Sequence, residues 1–187
     1  MKNNSILLNK IFPTSSSLTL IRNIIFILFG TILLTVSAKV QVPFWPVPIT
    51  MQTFIVFLIG MVYGWQLSFY TFLTYLAQGA LGLPVFASGG GLAYFIGPTA
   101  GYLYGMLFAT IIIGKLSELG FSNSYFKTFV TLLLGSVVIF SFGMLHLGTF
   151  IGYNKVFSAG LFPFVHSELF KIALAVSIIP SLSKKFK

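Results

Sequence analysis

Long apolar runs alternate along the chain with short interruptions marked by charge, proline or glycine, and those interruptions set its organisation. Apolar runs near 20–38, 49–63, 67–81, 98–116, 126–147 and 161–179 approach the roughly 20 residues a helix needs to cross a bilayer, the second and third being short. They predict an all-α, polytopic membrane protein of six transmembrane helices, a single integral membrane domain over 1–187 with a polar cytoplasmic lead-in at 1–17. From Val40 to Gly114 there is no formal charge, so turn chemistry makes the cuts. Pro43, Pro46 and Pro48 in VPFWPVP forbid regular helix and favour an extended loop with Phe44 and Trp45 at the interface. Gly64, with Trp65 and Gln66, reads as a tight turn. LGLPVFASGGGLAYFIGP reads as a loop too apolar for bulk solvent, one that dips into or covers the membrane face of the protein. Pro98 suits a first helical turn, where its missing N–H costs nothing.

Composition fixes the class. The chain is 57% hydrophobic and 7% charged, with a mean hydropathy of +0.99, values of an integral membrane protein rather than a soluble domain. The net charge of +9 does not point to nucleic acid, because the basic residues sit at the ends of apolar runs. A basic flank, then an apolar run ending at Ser37 and Ala38, imitates a secretory signal, but further apolar segments follow it, so it reads as a span. Zero cysteines exclude thiolate metal sites, cysteine nucleophiles and disulfides.

Charge then sets the topology. Lys2, Lys10, Arg22, Lys115, Lys127, Lys184, Lys185 and Lys187 fall on one face of a six-span arrangement, against Lys39 and Lys155 on the other. The positive-inside rule puts both termini in the cytoplasm and the proline-rich, glycine-rich and fifth loops outside. Within the last run, PFVHSELFK places Glu168, one of two acids in the chain, three residues before Lys171. Helical i, i+3 spacing puts both on one face, roughly 10 Å inward from the outer end of the last helix. Charges in a membrane span call for a partner, a polar ligand or water; the pair is either a helix-locking ion pair or a substrate site.

Other residues carry weaker signals. Gly89, Gly90 and Gly91 lack the Lys-Ser/Thr and the strand of a phosphate loop, so no ATP site is expected. His146 and His166 have no carboxylate-rich partner set, and no HExxH, Ser/His/Asp or paired-carboxylate motif occurs; neither a metal site nor catalysis is expected. Gln52 and Gln78 can bind an amide or ureido group or make interhelical hydrogen bonds. Gly30, Thr31, Thr35 and Ala38 give the first span a small-residue face, for packing inside the bundle or against a partner.

VPFWPVPITMQT, LGLPVF with its glycine run, GPTAGYLYG and FPFVHSELFK occur in order between Val42 and Lys171. Together they resemble the BioY family, the biotin-specific substrate-capture subunits (S components) of energy-coupling factor (ECF) transporters. The resemblance implies an S-component-like bundle and a high-affinity biotin site on the outer side, covered by the first loop. Its candidate substrate-binding residues are Glu168, Lys171, Gln52, Gln78, Tyr75 and Gly91. It also implies uptake powered by a membrane coupling protein and two cytoplasmic ATPases, with Gly30, Thr31, Thr35 and Ala38 docking the coupling protein. No cofactor is expected, biotin being the transported ligand, and the localisation is a prokaryotic cell membrane. The sequence departs from the family pattern at Ser167 and Glu168, where Gly and Asp are usual, and lacks a clean alanine ladder on the first helix. A carrier for another small vitamin and an intramembrane enzyme are the competing readings.

Overall fold

The computed structural model describes residues 6–13 and 18–186; Lys2, Lys187 and most of the Ser/Thr cluster of the lead-in lie outside them. The helices are α1 (Leu7–Ile11), α2 (Thr19–Lys39), α3 (Gln52–Ala80), α4 (Ala100–Glu118), α5 (Tyr125–Ile151), α6 (Val156–Gly160) and α7 (Phe162–Lys185). Five helical stretches among the described residues are long and apolar enough to cross a membrane, the last of them running from α6 into α7. The molecule is an all-α membrane bundle.

The turn expected at Gly64 forms inside α3, which consists of two helical arms meeting there. Helix continues on both sides, and only Gly64 leaves helical geometry, with φ 76° and ψ 174°. The second arm starts at Trp65, whose freed N–H donates to Glu118 Oε1 at 3.1 Å. A carboxylate at a helix N-terminus also complements the helix dipole, so one of the two acids secures the break. The arms fold back beside each other, since the Gln52 carboxamide, 12 residues before Gly64, lies beside the Tyr75 hydroxyl, 11 residues after it, so the six apolar runs appear as six helical arms.

Small residues set the packing distances. A Cβ at Gly60 would lie 2.7 Å from Ile113, and one at Gly105 would lie 2.7 Å from Ile139 Cα, which brings α3 against α4 and α4 against α5. Hydroxyls seal these contacts, Ser68 donating to Thr110 O at 3.2 Å and Ser117 to Met61 O. Without a hydrophobic driving force between helices in lipid, such close approach and hydrogen bonding hold a bundle together. The outward row of Ile21, Ile25, Leu28, Ile32 and Val36 on α2 is exposed to the bilayer.

Two irregular segments cover one end of the bundle. The first loop forms a short antiparallel hairpin, β1 (Gln41–Val42) and β2 (Ile49–Thr50), with Gln41 opposite Thr50; a cis Trp45–Pro46 peptide lies between the strands. The glycine-rich loop folds inward, as its apolar content predicts. Phe86 is 1% exposed and packs on Tyr75, Tyr94 and Phe95 at centroid distances of 5.3, 4.6 and 5.6 Å. Its backbone is tied down by Gly91 N–H to Gly79 O at 2.7 Å, which meets the need of irregular chain in a membrane protein for internal partners.

A side chain at Gly64 would meet both a left-handed backbone and the Glu118 carboxylate, 2.6 Å from the added Cβ, whereas Gly82 at φ 91° has open space. Gly82→Ala should therefore lose about 1–2 kcal/mol of backbone strain alone, and Gly64→Ala should lose more. Thermal unfolding in detergent should rank the midpoints native above Gly82→Ala above Gly64→Ala.

Candidate functional site

The two charges of α7 point into the bundle. Glu168 and Lys171 are 5% and 3% exposed, and Lys171 Nζ donates to Glu168 Oε2 at 3.1 Å across one helical turn. Thr53, in the first turn of α3, donates to the same oxygen at 2.8 Å and accepts from Lys171 at 3.0 Å. Ser136 of α5 donates to Glu168 Oε1 at 3.1 Å. The carboxylate thus has two hydroxyl donors and one ammonium, and the network joins three helices. Sequence spacing makes the pair predictable but not its partners: Thr53 and Ser136 are small hydroxyls in apolar runs, and only the three-dimensional packing of α3, α5 and α7 brings them together.

The residue before Thr53 turns the other way. Gln52 lines a pocket with Val47 and Pro48 of the first loop, Phe86 and Ala87 of the glycine-rich loop, and Leu103 and Met106 of α4. Its empty volume is about 340 Å³, solvent at the mouth included. Thr50, Tyr94, Thr99 and Tyr102 supply the remaining wall. Gln52 is 4% exposed and its carboxamide lies beside the Tyr75 hydroxyl, yet among the described residues its Nε2 has no acceptor. A buried amide without a partner costs about 1–3 kcal/mol, a demand that a ligand acceptor would meet. Glu168 and Lys171 are not among the residues lining this pocket; the first turn of α3 connects the two features.

The remaining candidate residues fall into two groups. Tyr75 is fully buried and donates to Val85 O at 3.0 Å, holding the glycine-rich loop against α3. Gly91, at φ 98°, acts through its backbone tie to Gly79. Gln78 instead makes an interhelical contact, Nε2 to Thr31 Oγ1 at 3.4 Å, the packing use of a membrane glutamine. Gly30 and Thr31 face α3, a Cβ on Gly30 falling 2.5 Å from Thr71 Cγ2, and Ala38 is buried. That face of α2 packs inside the bundle, the first of the two uses its small residues allow; Thr35 is half-buried and bonds back to Thr31 O.

Lys39 and Gln41 also bear on the pocket, although neither stands out in the sequence. Lys39 Nζ donates to Phe86 O at 2.6 Å and Gln41 Nε2 to Ala87 O at 3.2 Å. The end of α2 and the first loop are therefore fastened to the backbone of two pocket-lining residues. Among the described residues no cluster of three metal-binding side chains occurs.

The comparisons with known proteins agree with this architecture. The BioY family model matches residues 7–187. The chain belongs to the BioY family. Relatives within it include the probable biotin transporter BioY of Pyrococcus horikoshii, 41% identical over 151 residues covering 80% of this chain and 89% of that protein. The biotin transporter BioY of Thermotoga maritima is 36% identical over 156 residues, covering 82% of this chain and 91% of the relative. Among solved structures, the S component for biotin from an ECF-type ABC transporter superposes with a TM-score of 0.80 at 25% identity, covering 91% of this chain and 95% of the other.

The network makes a stability prediction. Lys171→Met leaves a buried carboxylate without its counter-charge and should cost roughly 3–5 kcal/mol, while Glu168→Gln with Lys171→Met should recover most of that loss. Chemical unfolding in detergent of both single variants and the double variant measures the coupling; a loss in the double variant equal to the sum of the two single losses would show the charges to be independent.

Proposed function

We propose that this BioY chain is the high-affinity biotin-binding membrane subunit of an ECF transporter, capturing biotin on the outer side for ATP-driven uptake. The observation that carries the reading is the first turn of α3, which presents the Gln52 carboxamide to a pocket and a hydroxyl, Thr53, to the buried Glu168–Lys171 pair. Biotin has a ureido group that donates twice and accepts once, an apolar bicycle and a carboxylate tail. The ureido N–H groups are donors of the kind that Thr53 and Ser136 supply to Glu168 and can exchange with them, while Lys171 or Gln52 serves the ureido oxygen. Phe86, Tyr94 and Tyr102 offer aromatic surface to the bicycle.

The chain acts as a transport subunit rather than an enzyme. Both termini are cytoplasmic, a reading supported by Lys10, Arg22, Lys115, Lys127, Lys184 and Lys185 lying at the ends of helices or the loops that join them on one side of the six-span arrangement. A membrane coupling protein and two cytoplasmic ATPases complete the machine, and the coupling protein docks on the outward side of α2 near Thr35. Gly30, Thr31 and Ala38 serve that docking by letting α2 seat closely on its neighbours.

Calorimetric titration of the purified chain with biotin should give saturable binding, and Glu168→Ala and Lys171→Ala should each weaken it by about tenfold or more. Absence of saturable binding by the intact chain, or undiminished binding by both variants, would contradict the assignment.

A further inference from the structure

The end of the bundle opposite the pocket carries more positive charge than the chain can neutralise. α4 runs from the glycine-rich loop at the pocket end to the Phe121–Tyr125 turn at the other. Among the described residues Lys10, Arg22, Lys115, Lys127, Lys184 and Lys185 lie at that other end, and the chain has two acids. Glu168 pairs with Lys171 inside the bundle, and Glu118 accepts from the Trp65 N–H. Three of the lysines are held over aromatic rings, Lys115 over Trp65 at 5.6 Å, Lys127 over Phe121 at 5.3 Å and Lys184 over Tyr125 at 4.5 Å from the ring centroid. Such a contact leaves the ammonium charged and keeps it at the depth of interfacial aromatic side chains.

Two of these lysines share one corner. The turn from Phe121 to Tyr125 is pinned to the end of α7 by Ser183 donating to Asn123 Oδ1 and by the contact of the Tyr125 and Ser181 hydroxyls at 3.3 Å. Lys127 of α5 and Lys184 of α7 therefore converge on one short turn, both exposed, with exposed Lys185 next in sequence. From this corner an exposed apolar row, Phe126, Phe129, Leu133 and Val137, runs along α5 at helical spacing. A soluble anion engages the charges and not the row, and an uncharged lipid engages the row and not the charges. An anionic lipid engages both.

We propose that the corner between the start of α5 and the end of α7 binds an anionic phospholipid, with its phosphate between Lys127 and Lys184 and its chains along Phe126, Phe129 and Leu133. The site is independent of whichever ligand the pocket takes.

Native mass spectrometry of the intact detergent-solubilised chain, titrated with dioleoylphosphatidylglycerol or dioleoylphosphatidylcholine, tests this. The phosphatidylglycerol should bind about tenfold more tightly. Lys127→Gln with Lys184→Gln should reduce that preference to about threefold or less, while Lys127→Arg with Lys184→Arg should keep it. Lys10→Gln with Lys155→Gln removes the same charge away from the corner and should also keep it. Because Lys127 and Lys184 are exposed, unfolding midpoints without added lipid should match the native chain. Excess inorganic phosphate should leave the lipid bound, since phosphate has no chains to lie on the α5 row. No preference in the intact chain, a preference that survives Lys127→Gln with Lys184→Gln, or one lost equally in Lys10→Gln with Lys155→Gln would overturn the site. Displacement of the lipid by phosphate would show a simple anion site and overturn it as well.

Discussion

A carboxylate and an ammonium taken out of water inside a membrane protein constrain everything around them. Each ion loses several kcal/mol of hydration on burial, and their mutual attraction offsets this only when the remaining donors and acceptors are also satisfied. Here the offset comes from Thr53 and Ser136, so α3 and α5 must both stand against α7 at hydrogen-bond distance. Small residues at the helix contacts allow that approach, and the turn at Gly64, capped by Glu118, folds the two arms of α3 back beside each other. The second acid of the chain thus secures the helix that brings Thr53 and Gln52 to the site.

The cover is built on a different principle. Proline excludes regular helix from the first loop, and glycine gives the third its inward course. Backbone groups freed by this irregularity are satisfied by Lys39, Gln41 and Tyr75. The result is a roof fastened to the bundle at Val85, Phe86 and Ala87, leaving Gln52 facing a pocket whose other walls are aromatic and aliphatic apart from Thr50 and Thr99. Mostly apolar walls with a few polar groups suit a small, largely apolar ligand with a polar head.

Much of this was legible in the sequence, for reasons that differ by residue. Apolar runs report the bilayer directly, so the all-α membrane bundle could be read from them, and i, i+3 spacing put Glu168 and Lys171 on one face. The apolar character of the glycine-rich loop correctly placed it against the bundle. Turn chemistry at Gly64 could be read from the sequence, but not its tertiary cap, which Glu118 supplies from 54 residues away. Gln52 and Gln78 were equivalent by chemistry, and only packing separates the pocket amide from the interhelical one. Thr53, Ser136 and Lys39 carry no pattern of their own, since their roles arise from contacts between distant segments.

The most direct measurement is an experimental structure of the chain with biotin bound. The account predicts ligand density between the first-loop hairpin, the Phe86–Tyr94 segment and α4, with biotin contacting Gln52 and the Glu168–Lys171 network rearranged to receive it. Biotin bound elsewhere, or bound with Gln52 and that network both out of contact, would contradict it.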